Sequence, residues 1–272
     1  MNTPIEESNL AHIGSDEDKA AKKCAAAIEM NWEGAGESPG IQVWRVENVR
    51  DENNNPNFGI NPWPKKQYGQ FFDGDSYIIL QTVTDEEDGG FMWDIYFWIG
   101  SGSSQDEYGV AAYKANELDD LLDDAPVQHR ETEGYESPEF LACFPKGIRY
   151  LNGGIDSGFR SVEDAENATE KIGARLFHLR KRDGEKTVHM HQVKVALSSL
   201  NQGDTFVLDD ADTIYTWFGT DCSPFEKSKA AQIAHGLSLE GHGHSTLKAD
   251  VQDDDEDFWT ILGGRGKIKE AD

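Results

Sequence analysis

Two acidic residues, fixed in a pattern that occurs twice, carry the chemistry legible in this chain. The first copy reads Gly74-Asp75-Ser76-Tyr77-Ile78-Ile79-Leu80, then Trp98-Ile99-Gly100, then Glu107. The second reads Gly203-Asp204-Thr205-Phe206-Val207-Leu208, then Trp217-Phe218-Gly219, then Glu226. In both, the glutamate follows the glycine by seven residues, while the loop before the Trp differs by ten. A constrained core with a free loop produces that difference. Carboxylates at a strand start and a helix start are hard oxygen donors, the ligands of calcium, which takes six to eight oxygens at about 2.3–2.6 Å. Gly74 allows its carbonyl to turn toward an ion with no Cβ in the way. The competing reading has Asp75 capping a turn and Glu107 complementing a helix dipole. Two copies with one interval favour the ion.

Ordinary elements must bring these acids together. Residues 16–30, rich in Ala and Lys, read as a short helix with Ser15 as N-cap, ended by Gly34-Ala35-Gly36. Gln42-Val43-Trp44-Arg45-Val46 alternates as a first strand, and residues 53–64, with several Asn and three Pro, read as a loop. Residues 77–82 and 95–99 are apolar strands paired around a turn at 85–90. Residues 105–122 form a long helix whose Ala111, Ala115, Leu118 and Leu122 make one apolar stripe. Tyr113, Glu117 and Asp120 make a second stripe facing away from that core, a candidate contact surface. Residues 175–179 stand in the second copy where Val43 to Val46 stands in the first, and 224–237 form its long helix with Pro in the first turn. The acid run 250–257 reads as the solvated start of a helix.

The chain has 272 residues, enough for two domains of about 100–150 each. The expected division is an N-terminal helical extension (1–36), a first domain (37–160), a linker (161–170), a second domain (171–264) and a linker-like tail (265–272). It reads equally as a two-domain protein and as part of a longer one. A net charge of −26 argues against nucleic acid or an anionic membrane contacting the whole surface, since phosphate needs a basic face. Cys24, Cys143 and Cys222 lack metal-ligand spacing and cannot all pair within one chain, which fits a reducing compartment. No signal peptide and no apolar run of the roughly 20 residues a membrane helix needs is visible, so the expected setting is cytoplasmic.

Further motifs sharpen the reading: Phe71-Phe72-Asp73-Gly74-Asp75, Ser104-Gln105-Asp106-Glu107, Leu118-Asp119-Asp120, Val127-Gln128-His129-Arg130-Glu131 and Gly153-Gly154-Ile155-Asp156-Ser157-Gly158-Phe159. With these the chain resembles the gelsolin superfamily (gelsolin and villin) of actin-regulating proteins, and within it the fragmin and severin branch, over nearly its whole length. The resemblance implies an α+β fold of two gelsolin-like domains, each a central mixed β-sheet sandwiched between a long and a short α-helix.

It also implies ligand sets. In the first domain calcium would be held by the Gly74 carbonyl, Asp75, Glu107 and the Ile155 carbonyl. A second ion, at the actin interface, would lie on Asp119 and the carbonyls of Asp124 and Pro126, completed by an actin carboxylate; Asp124 and Pro126 stand where the family has Gly and Ala. The second-domain site would use the Gly203 carbonyl, Asp204 and Glu226, with Asp272 or Glu270 supplying a last carboxylate. The family's second-domain disulfide is absent, its positions being Thr205 and Phe218. The actin-facing helix would present Tyr113, Glu117 and Asp120, with Phe159 nearby.

Basic residues gather at Lys146, Arg149, Arg175, Arg180, Lys181 and Arg182 despite the overall acidity. The resemblance implies filament-side and phosphoinositide binding there. His189-Met190-His191 would place both rings on one strand face, and His242-Gly243-His244 lies in a Gly-rich loop, neither with a partner suited to a transition metal. The function expected is therefore calcium-regulated severing of actin filaments and capping of their barbed ends, by a protein that is not an enzyme. The alternative is an actin monomer-sequestering or calcium-buffering protein that does not sever.

Overall fold

The computed structural model describes residues 15–50, 56–86, 89–154, 173–181, 188–210, 212–240 and 245–271. The expected linker, the histidines of the Gly-rich loop, and Ile155, Phe159, Arg182 and Asp272 lie outside the described residues. Contacts divide the chain into two compact units. Unit 1 takes residues 1–68, 73–143 and 154–157; unit 2 takes 69–72, 144–153 and 158–272.

Unit 1 opens with α1 (Asp16–Ala26), whose N-cap Ser15 accepts the Asp18 N–H through Oγ at 3.2 Å. The helix stops short of the expected residue 30. Glu29 goes extended and its carboxylate accepts the Asn31 N–H, starting a separate 3-10 turn, Met30–Trp32, that buries Trp32. A five-stranded sheet follows, built from β1 (Gly40–Arg50), β2 (Pro56–Pro62), β4 (Ser76–Thr84), β5 (Phe91–Ile99) and β6 (Val127–Thr132), in the order β2-β1-β4-β5-β6. Residues 56–62 therefore form a strand where the sequence suggested a loop. Among the described residues β2 lies at the sheet edge and pairs only with β1, so prolines that would interrupt an inner ladder are tolerated. β4 and β5 pair antiparallel as expected, and β6 runs parallel to β5, which makes the sheet mixed.

The long helix α2 (Gln105–Leu121) crosses over between β5 and β6. Period-2 alternation turns Trp44, Val46, Ile78, Leu80 and Ile95 toward its Ala111, Ala115 and Leu118, and Leu122 packs at the margin of that core. The opposite sheet face is aromatic. Tyr77 meets Trp98 there, and Tyr96 takes Phe140 of the short α3 (Pro138–Ala142) edge-on with centroids 5.5 Å apart.

Unit 2 has a seven-stranded sheet. Its strands are β3 (Gln70–Phe72), β7 (Arg149–Leu151), β8 (Arg175–Lys181), β9 (Val188–Val193), β10 (Thr205–Asp210), β11 (Thr213–Phe218) and β12 (Thr246–Lys248), in the order β12-β11-β10-β8-β9-β7-β3. Thus β3 and β7, from sequence expected in the first domain, complete unit 2's sheet. The long α4 (Pro224–Glu240) covers one face through Ala230, Ala234 and Leu237, packed on Phe177, Leu179 and Val207. The short α5 (Glu256–Ile261) covers the other through Phe258 and Trp259, packed on Leu176, Phe206 and Tyr215. Each unit is thus a mixed sheet between a long and a short helix, as the resemblance implied. No helix among the described residues is long and apolar enough to cross a membrane.

The glycine of each Trp-x-Gly has a mechanical reason. Gly100 N–H donates to the Asp75 carbonyl at 3.0 Å and Gly219 N–H to the Asp204 carbonyl at 3.0 Å. A Cβ on Gly100 would overlap the Asp73 carbonyl oxygen, and one on Gly219 the Gln202 carbonyl oxygen. Gly100→Ala should therefore force the two loops apart and destabilise the chain by about 1–3 kcal/mol or more. Chemical denaturation checks this, and an unchanged midpoint would show that the loops have slack.

Candidate calcium sites

The unit 1 site is assembled by the loop between β5 and α2. Besides the Gly100 bond, Gly102 N–H donates to the Asp73 carbonyl at 2.8 Å, tying that loop to the chain just before β4. Ser104 caps α2 and forms a reciprocal pair with Glu107: Ser104 N–H donates to Glu107 Oε2 at 2.9 Å, and Glu107 N–H to Ser104 Oγ at 3.3 Å. Ser103 Oγ lies 2.9 Å from Ser76 Oγ and 3.4 Å from Glu107 Oε2, bridging strand start and helix start. The capping role weighed for Glu107 is therefore real, but it uses only one oxygen. Glu107 Oε1 is buried and has no hydrogen-bond partner among the described residues. A buried carboxylate oxygen without a donor is costly unless a cation completes it.

Asp75 is fully buried and its Oδ2 belongs to Arg45, which reaches it through Nε at 2.7 Å and also through Nη2. Its Oδ1 faces Gly154: a Cβ there would fall 2.7 Å from Oδ1 and 3.0 Å from the Gly74 backbone. Gly74, Asp75 and the segment leading to Ile155 are thus adjacent, a cradle that any side chain at Gly154 would fill. Among the described residues no three His, Cys, Asp or Glu side chains converge, so an ion here would draw its other ligands from backbone carbonyls. The residues present fit calcium.

Unit 2 repeats the frame with a different finish. Asp221 N–H donates to the Gln202 carbonyl at 2.8 Å, as Gly102 does to Asp73. Ser223 and Glu226 form the same reciprocal cap, at 3.1 and 3.2 Å. Here, however, both glutamate oxygens are engaged, because Glu226 Oε1 accepts the Lys181 N–H at 2.9 Å. Asp204 Oδ2 accepts from Asn201 Nδ2 at 2.8 Å and lies 2.8 Å from His178 Nε2. Burial alone would raise the Asp204 pKa; the bonds from His178 and Asn201 and the Arg180 charge outweigh it and hold the carboxyl below the usual range. The tail completes the likeness. Gln202 N–H donates to the Lys269 carbonyl at 2.9 Å, and Ala271 Cβ lies 2.9 Å from where a Cβ on Gly203 would sit. Ala271 thus stands beside Gly203 as Gly154 stands beside Gly74, immediately before Asp272 as Gly154 is immediately before Ile155.

Asp119, near the end of α2, also has an open oxygen. Oδ2 accepts from Gln128 Nε2 at 2.8 Å, while Oδ1 is buried without a partner among the described residues. Burial raises its pKa, opposed by the Gln128 bond and helped by the charges of Asp124 and Asp120. Asp124 N–H donates to the Asp119 carbonyl at 3.0 Å, and Asp123 and Asp124 both adopt left-handed backbone, φ 64° and 57°. The glycine-type conformation before Pro126 is therefore kept without glycine, as Asp permits. Lys19 and Lys23 of α1 pair with Asp124 and Asp123 at 2.7 and 2.6 Å.

The other expected surfaces are less uniform than their spacing suggested. Tyr113 is 65% exposed and Asp120 half-buried, but Glu117 faces the N-terminal segment, accepting from Trp32 Nε1 at 2.8 Å and Lys114 Nζ at 2.9 Å. A buried indole N–H needs an acceptor, and that need takes Glu117 out of the outer stripe. Of the described cations, Arg175 is tied to Asp209 at 2.5 Å, and Lys181 lies 5.7 Å from the centre of the Phe225 ring. Strand alternation puts Arg180 on the opposite face, so the basic run does not form one patch. Lys146 is exposed and Arg149 half-buried. His189 and His191 share a face as expected, both stacked on Tyr150, whose hydroxyl lies 3.0 Å from His189 Nδ1.

A family model described as the gelsolin repeat matches residues 60–141 and 186–253, one match in each half of the chain. The chain is 41% identical over 262 residues to gelsolin-like protein 1 of Lumbricus terrestris, covering 95% of this chain and 67% of that protein. It belongs to the gelsolin family. Severin of Echinococcus granulosus is 39% identical, with 94% of this chain and 67% of severin covered. The actin depolymerising venom protein gelsolin 1 of Platymeris rhadamanthus is 38% identical, with 88% and 62% covered. The repeated Asp and Glu lie within or beside the two gelsolin-repeat matches, and so do the loops that hold them.

One participant escaped the sequence reading. In the sequence Arg45 is only one residue of an alternating strand. Aligning Val43-Trp44-Arg45-Val46 with Leu176-Phe177-His178-Leu179 is enough to find it, since a nitrogen-bearing side chain interrupts both apolar strands at the same place.

Proposed function

We propose that this gelsolin-family chain is a calcium-regulated actin-binding protein that severs filaments and caps their barbed ends. The observation that carries the calcium reading is the buried Glu107 Oε1, without a hydrogen-bond partner among the described residues, on a helix start that Ser103 ties to the strand start next to Asp75. Actin enters through the family: a relative matched over 88% of the chain is named for depolymerising it. In this reading unit 1 presents α2, with exposed Tyr113, to actin, and Asp119 Oδ1 with the Asp124 and Pro126 carbonyls holds an ion at that interface. Unit 2 grips the filament side through exposed cations on one of its faces, Arg180 among them, a group that would also meet a phosphoinositide headgroup. Calcium regulates by binding the competent arrangement more tightly than the inactive one. The unit 2 site is the weaker of the two, because Lys181 N–H already holds the oxygen of Glu226 that an ion would need.

The test is the length of labelled filaments with the chain in calcium and in chelator. Short filaments should appear only in calcium. Filaments no shorter than in buffer would sink the severing reading, and loss of polymer without short filaments would mark the chain as a monomer sequesterer.

A further inference from the structure

A strand position shared by the two units, Arg45 in one and His178 in the other, suggests a determinant of ion affinity. Arg45 stands directly opposite Tyr77 in the β1–β4 ladder, and His178 directly opposite Phe206 in the β8–β10 ladder. Tyr77 and Phe206 each lie two residues after the site aspartate, so Arg45 and His178 occupy one place in the repeat. From that place each brings a nitrogen to Oδ2 of its aspartate, Arg45 to Asp75 at 2.7 Å and His178 to Asp204 at 2.8 Å. The side chain at this position is thus one resident partner of the aspartate in both units. In unit 1 it is a guanidinium, 4% exposed and held with its carbon 5.5 Å from the centre of the Trp63 ring.

We propose that Arg45 is a built-in competitor for calcium: it occupies one oxygen of Asp75, repels an ion arriving at the other, and so sets the affinity of the unit 1 site. The inference rests on the calcium reading of that site. Two cations sharing one buried carboxylate repel across a short distance that water does not screen. The carboxylate therefore offers an incoming ion much less than a full negative charge. Without calcium the guanidinium keeps Asp75 satisfied, which lets the fold persist with the site empty. Arg45 is a positioning residue in this scheme, since it acts on the ion only through Asp75.

The full chain is titrated with calcium by calorimetry as wild type, Arg45→Gln and Arg45→Lys, and the unit 1 site is identified as the one that Glu107→Gln removes. Arg45→Gln should tighten calcium binding at that site roughly tenfold, the scale expected for removing a nearby charge. It should also lower the Tm without calcium, and saturating calcium should restore it, because the ion replaces the lost counter-charge. Arg45→Lys keeps the charge and should bind within about threefold of wild type. A merely structural arginine would give weaker or unchanged binding in Arg45→Gln with a Tm that calcium does not recover, and that result overturns the inference while leaving the site standing. Absence of any calcium heat in the wild type would overturn the site as well.

Discussion

Glu107→Gln should raise the calcium needed for filament severing at least tenfold, a loss in the range seen when a metal site's supporting groups are changed, while leaving the calcium-free fold close to wild type. The two oxygens of Glu107 have separate jobs, and the substitution separates them. Oε2 accepts the Ser104 N–H and closes the α2 cap; the amide oxygen of glutamine can accept the same bond, as capping boxes commonly show. Oε1 is the buried oxygen without a partner among the described residues. Replacing it with an NH₂ removes a negative charge and turns two donors toward the place where a cation would bind. The calcium-free protein gains from losing an uncompensated charge, so its Tm should hold or rise slightly. Severing followed against free calcium, with thermal melts in chelator, checks both halves. An unchanged calcium midpoint would remove Glu107 from the ligand set and leave it a cap alone. The equivalent change in unit 2, Glu226→Gln, should shift severing less, since both oxygens there already accept protein N–H groups.

The repeat made much of this legible. The acids, the glycine that admits a neighbouring carbonyl and the long helix all lie where their spacing placed them, because each is fixed by a local geometric need. What escaped was set by partners distant in sequence. The Asn- and Pro-rich segment became β2 because β1 had a free ladder edge to offer, which no property of residues 56–62 announces. Glu117 left the outer stripe because Trp32, 85 residues earlier, buries an indole N–H that needs it. The contact that makes the two sites finish unequally was also hidden. It comes from the Lys181 backbone, which β8 brings to Glu226, rather than from any difference in the acids themselves.

Asp75→Asn should be the more damaging change, and mainly through folding. Asparagine keeps the size of aspartate and can still accept from Arg45, but it leaves a guanidinium only 4% exposed with no counter-charge from that position. Breaking a buried pair by removing one member costs about 3–5 kcal/mol. For a chain of this size the Tm should fall by on the order of 10 °C. Calcium should not recover it, because the remaining charge is positive and the ion has lost a ligand. This distinguishes the two halves of the pair. Arg45→Gln removes a positive charge beside Asp75 that calcium can replace, whereas Asp75→Asn removes a negative charge beside Arg45, a loss that calcium can only aggravate. A severing defect in Asp75→Asn therefore reports ligand loss only when read beside its melting curve. The double variant Asp75→Asn with Arg45→Gln decides the matter: with both charges gone it should recover most of the lost stability in chelator while still failing to respond to calcium. A double variant no more stable than Asp75→Asn alone would show that the buried charge is not what the fold is losing.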